Sequence, residues 1–91
     1  MQQLERAIRN YLERVVFPLI AHPEKAQITA TPSESEGVIR FRLLLESGDV
    51  ARVIGRNGMT ASAIRSMAKA AGEKAGIKVV VHIESSEEVR G

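Results

Sequence analysis

Leu4, Ile8, Tyr11, Leu12, Val15, Val16 and Leu19 recur at three- and four-residue steps, with Glu5, Arg6, Arg9, Glu13 and Arg14 between them. Residues so spaced share one face of an α-helix. The pattern predicts an amphipathic helix over residues 2–20. Pro18 lacks an N–H and its ring crowds the carbonyl of Arg14, so the helix kinks or ends near Val16 and Phe17. His22-Pro23 closes the segment.

The period then changes to two. Residues 26–31 alternate small or apolar with polar side chains, and residues 38–45 alternate more clearly. Ile39, Phe41, Leu43 and Leu45 point one way; Val38, Arg40, Arg42 and Leu44 point the other. The polar stretch 31–37 predicts a hairpin loop, so the two strands pair antiparallel.

Ser47-Gly48-Asp49 signals a helix start with Asp49 as N-cap, and a short helix over 50–54 stops at Gly55. Beyond Gly58, Thr60, Ile64, Met67, Ala68, Ala71 and Ala75 mark the packing face of another helix. Ser62, Arg65, Ser66, Lys69 and Glu73 lie off that face. Gly76 suits the position just past a helix end. Ile77, Val79, Val81 and Ile83 form one face of a last strand, and residues 85–91 read as a polar, fraying tail. The order is α-β-β-α-α-β. Strands 38–45 and 77–83, joined by a helical crossover, run parallel if adjacent. The expected architecture is α+β: a three-stranded mixed sheet with helices packed on one face.

Composition narrows the chemistry. A chain of 91 residues, 44% hydrophobic, makes one small domain with a single core. It has no cysteine, which excludes disulfides and thiolate metal sites and points to a cytoplasmic setting. No apolar run approaches the roughly 20 residues of a membrane span, and the N-terminus has no signal-peptide layout, so no membrane partner is expected. Net charge is only +2, but it is unevenly placed. Between residues 50 and 80 stand Arg52, Arg56, Arg65, Lys69, Lys74 and Lys78 against the single acid Glu73, a local +5. The rest has seven basic and ten acidic residues, or −3. A concentrated positive field favours a polyanion, although a solvated helix face has the same composition.

That field surrounds Val53-Ile54-Gly55-Arg56-Asn57-Gly58-Met59-Thr60. Two glycines allow a sharp turn and bring bare backbone close to a ligand. The helix that follows offers unpaired N–H groups and the positive end of its dipole. Arg56 adds charge, and Asn57 can hydrogen-bond phosphate or sugar. Alone, G-x-x-G is more often a simple capping turn. Within the α-β-β-α-α-β order it resembles the signature loop of a type II KH domain, over about residues 4–83. The run Ser47-Gly48-Asp49-Val50-Ala51-Arg52-Val53-Ile54-Gly55-Arg56-Asn57-Gly58, then Ala63-Ile64-Arg65, and the His22-Pro23-Glu24 step resemble the KhpA (YlqC-type) family of small bacterial KH proteins.

The resemblance implies binding of single-stranded RNA and a role as RNA chaperone or post-transcriptional regulator. It also implies a homodimer, or a heteromer with a larger KhpB-type KH protein. The site residues it implies are Gly55, Arg56, Asn57 and Gly58 on the phosphates, with Met59 and Thr60 at the helix start. Arg52, Arg65 and Lys69 widen the basic footprint, and Val53, Ile54, Ile64 and Val80 line an apolar groove for bases. Two positions depart from the family. Arg56-Asn57 replaces a frequent Lys-Gln, and Met59 stands where a basic residue is common.

Other chemistry finds no support in the residues. With no Trp, one Tyr and two Phe, the chain lacks the aromatic platforms of other single-strand binders. His22 reads as a turn residue and His82 as an outward strand residue, without metal-ligand spacing. No catalytic constellation or nucleotide-binding P-loop is evident, so neither enzyme activity nor a cofactor is expected. The competing reading is a protein-interaction adaptor, favoured by the broad apolar stripe of the first helix and by outward Val38 and Leu44.

Overall fold

A computed structural model describes residues 1–87. Helix α1 spans Gln2–Val16 and buries Ile8, Leu12 and Val16. A 3-10 turn, Phe17–Leu19, carries Pro18 in its first turn, where the missing N–H costs nothing. A second such turn, Pro23–Lys25, leads into strand β1, Gln27–Ser33. The hairpin closes more tightly than the sequence pattern predicts, because β1 runs through Pro32 to Ser33. Proline fits there because β1 is an edge strand.

Strand β2, Val38–Leu45, is central, antiparallel to β1 and parallel to β3, Lys78–Ser85. Between β2 and β3 come α2, Ser47–Ile54, and α3, Met59–Lys74. Ile39, Phe41, Leu43 and Leu45 are each fully buried, and Val79 and Val81 of β3 join them. Side chains from all three helices close over this face of the sheet. The expected α-β-β-α-α-β order and mixed sheet are present. Fully burying each such aliphatic or aromatic side chain contributes about 1.5–3 kcal/mol, so the Ile39–Leu45 row dominates the core.

Four local expectations need correction. Asp49 is not the N-cap of α2: Glu46 is, accepting a hydrogen bond from Gly48 N at 3.0 Å. The packing face of α3 is Ala61, Ile64, Ala68 and Gly72, whereas Met67 is 60% exposed and Ala71 faces outward. Gly72 is drawn inward because it lies against β3, where a Cβ would stand 2.5 Å from the carbonyl oxygen of Ile77 and from Val79 Cγ2. Val38 is buried and Leu44 half-buried, so neither is a freely exposed apolar group on the outer face. Ser85, expected in the tail, is a buried end of β3; residues 88–91 lie outside the described residues.

Gly76 does terminate α3. It has φ +71°, its N–H reaches Glu73 O at 3.0 Å, and Ile77 N reaches Gly72 O at 2.9 Å. This double bond pattern is a Schellman cap, which ties off the orphan carbonyls and aims the chain into β3.

Candidate nucleic-acid interface

The two ends of α2 are built differently. At its start the Asp49 carboxylate is wholly buried and accepts three hydrogen bonds. Ala21 N donates to Oδ1 at 2.8 Å, His22 N to Oδ2 at 2.9 Å, and Arg52 Nη1 to Oδ1 at 2.8 Å. Burial alone would raise the Asp49 pKa. The two backbone N–H groups, then the hydrogen bond and charge of Arg52, outweigh it and hold the carboxyl below its usual range. Asp49 thereby fastens the segment after α1 to the helix that leads to the loop.

At its other end α2 stops on Gly55, whose φ of 76° and ψ of 177° belong to a region open essentially to glycine alone. A Cβ there would also collide with Thr60, with the Thr60 Cβ only 2.8 Å away. Arg56–Gly58 form one 3-10 turn, closed by Gly58 N to Gly55 O at 3.1 Å. Asn57 (φ 56°, ψ 23°) and Gly58 (φ 75°, ψ 11°) are left-handed. Asparagine tolerates that conformation better than most residues. A Cβ on Gly58 would meet nothing within 4 Å, so only its φ demands glycine. Helix α3 then begins at Met59 with no side chain capping its N-terminus.

The two glycines thus form the sharp turn between α2 and α3 that their spacing predicts. Arg56 and Asn57 are exposed at the turn, and Arg56 makes no ion pair among the described residues. Thr60 is half-buried, filling the space that a Gly55 side chain would need. Met59 is 68% exposed and starts a stripe that continues through Ser62, Ser66 and Lys69 at helical spacing. That stripe and the edge of β3 enclose a shallow groove of ≈ 500 Å³, lined by Ser62, Arg65, Ser66, Lys69 and residues 79–82. Arg65 Nε donates to Val81 O at 3.0 Å, which spans the groove and ties α3 to the open edge of β3.

The other expected site residues fall in different places. Val53 and Ile64 are core residues, 0% and 2% exposed, beneath the site rather than on its surface. Ile54 is half-buried beside Gly55. Arg52 is on the solvent side but spends a guanidinium N–H on Asp49. The apolar floor comes from Val79, Val80 and Val81 of β3. Ser62, Ser66 and His82 join the groove without having been singled out for it. The three- and four-residue steps from Met59 were a signal for the two serines. The position of His82 depended on the strand register. A cleft of ≈ 560 Å³ opens at another part of the surface, but Glu24, Glu46 and Glu87 on its walls repel a polyanion.

Relatives agree with this architecture. The KH-domain model described as KhpA/KhpB matches residues 9–83. The chain belongs to the KhpA family. It is 36% identical to the RNA-binding protein KhpA of Listeria monocytogenes over 69 residues, which cover 76% of this chain and 88% of that protein. It is 32% identical to the RNA-binding protein KhpA of Bacillus subtilis over 79 residues, 87% of this chain and 95% of the relative. The Streptococcus pneumoniae protein of the same name is 38% identical over 60 residues, 66% and 73% of the two chains. The three-stranded mixed sheet with its helix pair is therefore a KH fold. Among the described residues no helix is long and apolar enough to cross a membrane.

Proposed function

We propose that this KhpA-family chain binds single-stranded RNA and acts as an RNA chaperone or post-transcriptional regulator in the cytoplasm. The observation that carries the reading is the 55–58 loop. Its two glycines hold a tight turn that leaves Arg56 and Asn57 exposed, directly before an uncapped helix N-terminus, and Arg56 makes no ion pair among the described residues. Phosphate oxygens accept hydrogen bonds from the loop and helix N–H groups, and Arg56 supplies a charge-assisted contact. Bases turn toward the α3/β3 groove, where valines offer aliphatic contact and Ser62, Ser66 and Lys69 offer polar groups. Phe41 is fully buried and Phe17 lies in the turn after α1, so stacking on an aromatic platform contributes little. Such a module holds about four nucleotides. The relatives named RNA-binding proteins support the choice of ligand.

The test is fluorescence anisotropy with a single-stranded RNA pool and a duplex control at two salt concentrations. The variant combines Arg56→Asp with Asn57→Asp; aspartate also tolerates the left-handed conformation, and circular dichroism checks the fold. Wild-type binding should be single-strand selective and weaken with salt, and the folded variant should lose it. Equal binding by both proteins would refute the loop as the site.

A distinct observation favours self-association or pairing with a KhpB-type protein. Ala7, Ile8 and Tyr11 of α1 and Met67 and Ala71 of α3 line an almost wholly apolar hollow on the surface. Burial among them pushes the Tyr11 phenol pKa up. Met67 is at its rim, so light scattering should show Met67→Asp shifting any dimer toward monomer. An unchanged mass for a dimeric wild type would move the interface elsewhere.

A further inference from the structure

The face of the sheet turned away from the helices is polar and ordered in rows. Strand register sets Thr29, Arg42 and His82 side by side across β1, β2 and β3, with Thr31, Arg40 and Val80 in the next row. All but Val80 are exposed, and among the described residues no helix covers them. Arg40 and Arg42 stand about 6.6 Å apart along β2 on one side. Their carboxylate partners hold them loosely: Glu36 meets Arg40 at 3.4 Å, and Glu84 meets Arg42 at 3.4 Å. Well-formed charge-assisted bonds are near 2.7–2.9 Å, and exposed pairs of this kind exchange readily.

This face is continuous with the α3/β3 groove. His82 lines that groove and also lines the hollow formed by Thr29, Thr31, Arg40, Phe41 and Arg42. It sits on β3, the edge strand around which the two surfaces meet.

We propose that the open sheet face is a second contact surface for the same RNA strand. A strand leaving the α3/β3 groove turns over β3 at His82 and lays its next phosphates on Arg42 and Arg40. Two guanidinium groups in line, flanked by threonine hydroxyls, match the repeating anions of an extended backbone. The imidazole at the turn gives an unstacked base a flat surface. A protein partner fits this face less well, because interface cores favour large apolar side chains. Among the described residues the freely exposed large apolar groups, Phe17, Leu19, Met59 and Met67, all belong to α1's following turn or to α3.

The proposal rests on the loop reading, and oligonucleotide length separates the two. The probes are fluorescein-labelled oligouridylates of four and ten nucleotides, titrated against the wild type, the double variant Arg40→Ala, Arg42→Ala, and the double variant Arg40→Lys, Arg42→Lys. The expected result is unchanged tetranucleotide binding in all three, with about tenfold weaker ten-nucleotide binding in the alanine variant alone. Losing two phosphate contacts should also reduce the slope of log K against log salt by about 1.4 for the longer probe. Wild-type affinity that does not rise with length, or an alanine variant that keeps the wild-type affinity and salt slope on ten nucleotides, overturns the second surface and leaves the loop reading standing. A wild type that binds neither probe overturns both.

Discussion

Helix α2 has two ends built from opposite principles. At its start, donors and acceptors are spent inside the protein: Glu46 caps Gly48, and Asp49 satisfies two backbone N–H groups from a segment 27 and 28 residues away. At its finish, glycine backbone conformations and the packing of Thr60 fix a turn on which Arg56 and Asn57 are exposed. The same eight-residue helix thus has one end closed upon the fold and one end leading into an exposed turn. Rigidity at the first supports precision at the second, since a loop presents its N–H groups consistently only when the helix before it is held.

The largest effect should come from giving Gly55 a side chain. Gly55→Ala forces a residue into glycine-only backbone space and drives its methyl into Thr60. A loss of about 3 kcal/mol or more in urea unfolding is expected, together with loss of RNA binding. Gly58→Ala is the control within the same loop. It meets open space, so only the left-handed penalty of about 1–2 kcal/mol applies. Equal costs for the two substitutions would refute the claim that Thr60 packs the first glycine into place.

A smaller but selective effect is expected at the closed end. Asp49→Asn removes the charge that Arg52 and the two N–H groups stabilise, so the urea midpoint should fall near neutral pH. The pH dependence has a definite sign. The folded carboxyl has a lowered pKa, so its contribution is present above the ordinary value of about 3.9 and is lost as pH falls through the folded value below that. The wild type should therefore lose stability through this acid range more steeply than Asp49→Asn. Parallel curves for the two proteins would show that Asp49 is not the group responsible. RNA affinity per folded molecule should change less than stability, because Asp49 lies behind the loop.

These contrasts also explain what was legible in the chain. Periodicity located α1 and β2 because their large apolar residues repeat without interruption, and β2 matched its predicted bounds. The crossover between β2 and β3 followed from two helical segments lying between strands. The loop was legible because its glycines are punctuation as well as chemistry. Asp49 was misassigned because its neighbours in sequence offer a local capping role, whereas its partners Ala21 and His22 come from the far side of the fold. The face of α3 was rotated because alanines at 61, 63, 68, 70, 71 and 75 give little contrast between inside and outside. Gly72 settles that rotation through contact with β3, which no single-helix pattern contains. The groove suffered likewise: Val53 and Ile64 are near the loop in sequence yet beneath it in space, while His82 reaches the groove through strand pairing.

The smallest effect should arise from adding to the open end. Met59 is 68% exposed at the first position of α3, next to the left-handed Gly58. A lysine there would place a flexible cation beside the proposed phosphate contact of the loop. It would also sit at the positive end of the helix dipole, which disfavours a cation by about 0.3–1 kcal/mol. Met59→Lys should therefore lower stability slightly while tightening RNA binding by a few-fold. One added phosphate contact would steepen the slope of log K against log salt by about 0.7. The opposing signs make the test informative: a side chain that improves the ligand site should weaken the free fold. If affinity and salt slope both stay at wild-type values, the strand does not pass the start of α3, and the open end of α2 is open only to water.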